Sequence, residues 1–112
     1  MWIASKYGFF SIVKKEDGHH VRARVKRDLE TLIAETGIEE PLQQWPAADY
    51  RYRVVVSAQA IPALFEKLGE SIDYSNFKSK IAATPTQRDK EHAYYEIWRV
   101  MYGLQEDDEA YS

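Results

Sequence analysis

The chain alternates between two hydrophobic periods, and the switches between them mark out its elements. Phe9–Lys15 is rich in strand-forming residues, and Glu16-Asp17-Gly18 is a turn signal. In the run that follows, Val21, Ala23 and Val25 alternate with Arg22, Arg24 and Lys26. This pattern predicts a hairpin, preceded by a short strand from Trp2 to Ser5 with a bend at Lys6–Gly8. A period near 3.6 then takes over. Asp28 is placed to cap a helix with Leu29, Leu32 and Ile33 on one face, and Gly37 is its expected stop. Pro41 and Pro46 bracket Leu42–Trp45, which leaves room only for a short edge strand.

The second half opens with Ala48-Asp49-Tyr-Arg-Tyr-Arg-Val-Val-Val-Ser57. As a strand it places Tyr50, Tyr52, Val54 and Val56 on one face, and Arg51, Arg53, Val55 and Ser57 on the other. Ile61, Leu64, Phe65 and Leu68 recur at helical spacing before Gly69. A short helix capped by Asp73 or Ser75 is expected to bury Tyr74, Phe77 and Ile81. A last helix, capped by Thr86 and ending at Gly103, aligns Tyr94, Ile97, Trp98 and Met101 as a core stripe. Residues 105–112, with four acids and no base, are expected to be a disordered tail, and residues 1–104 a single domain.

The order ββαββα is a cyclic rearrangement of βαββαβ. The expected fold is therefore α+β, a two-layer ferredoxin-like sandwich with added C-terminal helices. Val-Arg-Ala-Arg-Val (21–25) and Tyr-Arg-Tyr-Arg-Val (50–54) each precede an amphipathic helix ending near glycine, which suggests an internal repeat. In such a sheet Val21, Val25, Val54 and Val56 belong under the helices. Arg22, Arg24, Arg51 and Arg53 then share the opposite face.

Composition narrows the functional classes. The chain has 112 residues, 45% hydrophobic and 29% charged, and no cysteine, which excludes disulfides and thiolate chemistry and suits a reducing cytoplasm. Its apolar runs are too short for a signal peptide or a bilayer span. The net charge of −3 conceals a segregation: residues 1–27 sum to +5, residues 28–49 to −6 and the tail to −4. An overall basic footprint for nucleic acid is missing, so any anion site must be local.

The arginine face is the leading candidate for such a site, because guanidinium groups grip phosphate and carboxylate bidentately and stack on flat rings. Arg22, Arg24, Arg51 and Arg53 are the expected contacts, supported by Lys26 and Phe10. The competing reading is structural, with the arginines solvated or paired with Asp89, Glu91 or Glu96 of a covering last helix. Tyr74, Tyr94, Trp98 and Tyr102 sit at helical spacing and are expected in a core. Trp45 and Tyr7 are the exposed aromatic candidates. His19, His20 and His92 lack metal-ligand spacing and are expected at the surface. No nucleophile–histidine–acid set and no glycine-rich phosphate loop can be assembled, so neither catalysis nor a cofactor is expected.

The motifs Met-Trp…Gly-Phe-Phe-Ser-Ile-Val at the start, Val-Arg-Ala-Arg, Asp-Tyr-Arg-Tyr-Arg, Ile-Asp-Tyr-Ser-Asn-Phe-Lys and Trp-Arg-Val-Met-Tyr resemble a family of small uncharacterised bacterial proteins. The likeness runs to Leu104 and implies no activity, ligand or catalytic residue. From the residues themselves, two functions are expected. The first is a non-enzymatic binding or regulatory module whose arginine face meets a nucleic acid, a nucleotide or an acidic protein surface. The second is a protein–protein interaction subunit, a homodimer, with interfacial or structural arginines.

Overall fold

The computed structural model describes residues 1–111, with side chains through Glu109. Contacts cluster into two compact units, Met1–Asp73 and one beginning at Tyr74. The first unit is α+β. Its strands β1 (Trp2–Ser5), β2 (Gly8–Lys15), β3 (Gly18–Ala23), β4 (Gln43–Gln44) and β5 (Tyr52–Val56) form one sheet in the order β1-β2-β3-β5-β4. Every pairing is antiparallel. The chain leaves β3 through helix α1 (Lys26–Thr36), reaches the far edge as β4, and returns as β5 between them. Helix α2 (Ala60–Glu70) follows. A ferredoxin-like sheet has four strands; here β1 is a fifth, at the edge beside β2.

The alternation expected for β2, β3 and β5 sorts their side chains into two faces. Phe10, Ile12, Val21, Ala23, Val54 and Val56 share one core with Leu29 and Leu32 of α1 and Leu64 and Leu68 of α2. Each fully buried leucine or valine contributes about 1.5–3 kcal/mol relative to exposure. Phe10 therefore belongs to the helix-facing core, and it is Phe9 that lies on the arginine side, edge-on to Trp2 at 5.8 Å. Val25, expected under the helices, is exposed as the N-cap of α1.

Two local expectations move for physical reasons. Asp28 is not the cap of α1: it sits inside the first turn, buried, with its carboxylate accepting the Phe9 N–H at 3.3 Å. Gly8 permits that approach. It carries φ of +152°, and a Cβ there would lie 2.4 Å from the Asp28 Cβ. Gly37 ends α1 in the left-handed region at φ +74°, as expected. α2 continues through Gly69 to Glu70, because Ser71 donates its hydroxyl to the Leu68 carbonyl and forms the end instead.

The second unit is helical. Helix α3 (Phe77–Ala83) is capped by Asn76, whose side chain accepts the Ser79 N–H at 2.9 Å. A 3-10 turn (Arg88–Lys90) leads into helix α4 (Glu91–Tyr111). Phe77, Ile81 and Tyr94 form its small core, with the Phe77 and Tyr94 rings 5.1 Å apart. α4 does not stop at Gly103. The acidic segment expected to be disordered is helical to Tyr111, while Ser112 lies outside the described residues. Ile97, Trp98, Met101 and Tyr102, expected in a core, are exposed.

Candidate anion-binding face

The face of the sheet opposite the helices carries the polar alternates of the same strands. Register decides which of them meet. Ser11 of β2 lies opposite Arg22 of β3, and Arg22 lies opposite Arg53 of β5, with Gln43 of β4 beyond. One row along, Val13, His20 and Val55 stand in line. Two arginines are thus a direct cross-strand pair in mid-sheet, an arrangement that like-charge repulsion disfavours.

Arg53 is almost wholly buried, 3% exposed. Its guanidinium lies over the Trp45 ring at 3.9 Å, donates to His20 Nδ1 at 3.1 Å and donates to the Tyr50 carbonyl at 3.3 Å. A guanidinium can only donate, so His20 Nδ1 is an acceptor and the imidazole proton sits on Nε2. That N–H donates to Asp17 Oδ1 at 2.7 Å. The Asp17 carboxyl is held below the usual carboxylate range, chiefly by this hydrogen bond. Burial, and then Arg22 across the strand, pulls the Arg53 guanidinium below its ordinary value. His20, expected at the surface, is instead 1% exposed and links an exposed acid to a buried base.

Arg22 is half-buried, and its Nη2 donates to Ser11 Oγ at 2.7 Å. Its guanidinium lies 4.6 Å from the centroid of the Tyr50 ring, and that of Arg24 lies 4.1 Å from the same ring. Tyr50 is therefore on the arginine side, not with Tyr52 under the helices. The strand begins only at Tyr52, so alternation does not reach back to residue 50. Arg24 is exposed and donates to the Asp49 carbonyl at 2.9 Å. Its distance to the Asp49 carboxylate is 4.0 Å.

Among the described residues no carboxylate lies within salt-bridge distance of Arg22 or Arg53, and the Nε of each is buried without a hydrogen-bond acceptor. Of the acids expected to neutralise this face, Asp89 lies 3.8 Å from Lys90, and Glu96 accepts from Arg99 at 2.9 Å. The face thus retains two mid-sheet positive charges that its own residues do not neutralise. Around them stand Trp2, Phe9, Val13, Val55 and the partly exposed Trp45.

The remaining sequence candidates fall elsewhere. Arg51 is exposed and precedes β5, so the expected four-arginine cluster is a pair, Arg22 and Arg53, with Arg24 beside it on Tyr50. Lys26 is the first residue of α1 and lines a shallow hollow with Glu30, Ile33 and Leu42, away from the arginine pair. Phe10 is core. The residues that sequence reasoning missed are Ser11, His20 and Tyr50. Ser11 and His20 share the alternation parity of the arginines, which is the signal that could have found them. Among the described residues no group of three or more His, Asp or Glu side chains could hold a metal ion. No helix there is long and apolar enough to cross a membrane. In comparisons with known proteins, no family model matches the chain, and neither does any curated protein or solved structure.

Proposed function

We propose that the protein is a small binding or regulatory module whose arginine-bearing sheet face receives an anionic group, a phosphate or a carboxylate, from its partner. The observation that carries this reading is the Arg22–Arg53 pair, opposed across the sheet without a carboxylate. A half-buried guanidinium without a counter-ion, as Arg22 is among the described residues, gains a charge-assisted hydrogen bond from an incoming anion. Arg22 and Arg24 are the accessible contacts. Arg53 supplies field and holds Trp45 and His20, and the rings of Trp45, Trp2 and Phe9 suit a flat group such as a nucleobase.

The order β2-β3-β5-β4 that remains when β1 is set aside supports a cyclically rearranged ferredoxin-like fold for the first unit. Open sheet faces in two-layer folds of this type suit single-stranded nucleic acids and nucleotides. We place the protein in the reducing cytoplasm on its lack of cysteine.

Trp45 touches Arg53 directly, so its fluorescence is the natural reporter. The full chain is titrated at low salt with an oligothymidylate and, separately, with pyrophosphate. Saturable quenching is expected, lost in Arg22→Met and Arg24→Met. With two accessible arginines, log K should fall against log salt with a slope of about −1.4 for the single strand. No saturable binding of either probe at low salt refutes the nucleic-acid and nucleotide reading. A second reading, a protein partner on the same face, is favoured by the apolar rim: Trp2 is 72% exposed beside the arginines, an aromatic-plus-arginine mixture typical of interfaces. It predicts that Trp2→Ser abolishes capture of that partner while leaving pyrophosphate binding intact.

A further inference from the structure

Helix α4 combines two features that the arginine face does not use. Ile97, Val100, Met101 and Leu104 recur at i, i+3, i+4 and i+7, the spacing of a helix–helix seam, and all four are exposed, Val100 at 60%. Beside them Tyr95, Trp98 and Tyr102 form a ladder of stacked rings, 6.2 and 5.3 Å between successive centroids, with Lys78 Nζ 4.5 Å from the Trp98 ring. Contiguous exposed apolar surface of this extent marks an interaction site. A helix that is apolar over most of its circumference requires a partner.

Charge along the same helix indicates which partner. Beyond Leu104 come Glu106, Asp107, Asp108 and Glu109, and no base. The opposite end of the helical unit carries Lys78, Lys80, Arg88, Lys90 and His92 against Asp89, Glu91 and Glu96, with Lys90 largely buried 3.8 Å from Asp89. Two copies laid parallel would set four acids against four acids. Laid antiparallel with Ile97 opposite Leu104 and Val100 and Met101 at the centre, the seam sets residues 106–109 opposite residues 95–92, which include His92 and no acid. An anionic lipid surface fits less well, because the acids of this helix oppose it.

We propose that α4 is a self-association surface, pairing antiparallel with α4 of a second copy in a two-fold symmetric dimer. The contact is isologous, so the same four residues serve both sides. It is independent of the arginine face: either can fail without the other.

The absence of native cysteine makes orientation directly testable. Sedimentation equilibrium of the full chain is expected to give a dimer mass that falls toward monomer on dilution. Met101→Glu should weaken the dimer at least about thirtyfold, with circular dichroism reporting retained helix. Asp107→Lys with Asp108→Lys, both exposed, should weaken it without touching the seam. On oxidation, Val100→Cys should form a disulfide dimer by itself, whereas Ile97→Cys and Leu104→Cys should cross-link efficiently only when mixed. A monomer at all concentrations overturns the proposal, and so does a dimer indifferent to Met101→Glu. Self-cross-linking of Ile97→Cys and Leu104→Cys in preference to the mixed pair indicates a parallel pairing and also overturns it. Vesicle binding by a protein that stays monomeric in solution assigns the surface to lipid and overturns it as well.

Discussion

Tyr50 is the residue through which the arginine face can be measured most directly. Its ring is 5% exposed and receives two guanidiniums, Arg22 at 4.6 Å and Arg24 at 4.1 Å from its centroid. Tyr50→Leu retains an apolar side chain but removes the ring quadrupole that both cations contact. A cation–π contact contributes about 0.5–1 kcal/mol at an exposed site and about 2 when desolvated. Arg24 is exposed and Arg22 half-buried, so the expected loss is about 1.5–3 kcal/mol in all. Tyr50→Phe keeps the ring and should lose under about 0.5 kcal/mol from this source. The measurement is urea unfolding in a Trp98→Phe background, so that fluorescence reports Trp2 and Trp45, both within the first unit. With a slope of about 1–3 kcal/mol per molar urea, the predicted shift in midpoint is readily resolved. If Tyr50→Leu and Tyr50→Phe unfold at the same midpoint as the parent, the ring does not hold the two arginines and the reading of this face is wrong.

Three further outcomes follow from the geometry. Gly8→Ala should destabilise by about 1–3 kcal/mol or more, since a Cβ at φ +152° runs into Asp28; an unchanged urea midpoint would show that α1 can withdraw from β2. Asp17 has its folded pKa depressed by the His20 N–H, so its contribution is present above its ordinary value of 3.8 and lost as pH falls through the folded value. Asp17→Asn should therefore lower stability at neutral pH and lose part of the acid limb, so that its thermal melts converge with those of the parent as pH falls below about 4. Asn76→Ala removes the side-chain cap bond of α3, and a loss of about 1 kcal/mol is expected in helix stability followed by circular dichroism.

Much of the first unit was legible because burial on one face forces alternation. Val21, Val54 and Val56 were assigned to the core by parity alone, although the same parity misplaced Val25, and the brief edge strand between Pro41 and Pro46 followed from what proline forbids. What parity cannot give is where a strand starts. Extending it back from Tyr52 put Tyr50 on the wrong side, and the Gly8 bend decides which of Phe9 and Phe10 turns inward. The Arg22–Arg53 opposition needs the register of two strands separated by a helix and an edge strand, which no local signal encodes. His20 was missed for a related reason: an imidazole is buried here only because a base and an acid from different segments close on its two nitrogens. The stripe on α4 shows a further limit. Periodicity identifies a face that avoids water, but does not say whether the cover comes from the same chain.

The brevity of β4 has a consequence for how anything can attach. Two paired residues, held between Pro41 and Pro46, offer an approaching extended segment almost no free ladder of amides and carbonyls. At that margin the sheet cannot be lengthened by another strand. Recognition there must work through side chains rather than main chain, which makes it sensitive to single substitutions and resistant to the indiscriminate stacking that leads to fibres.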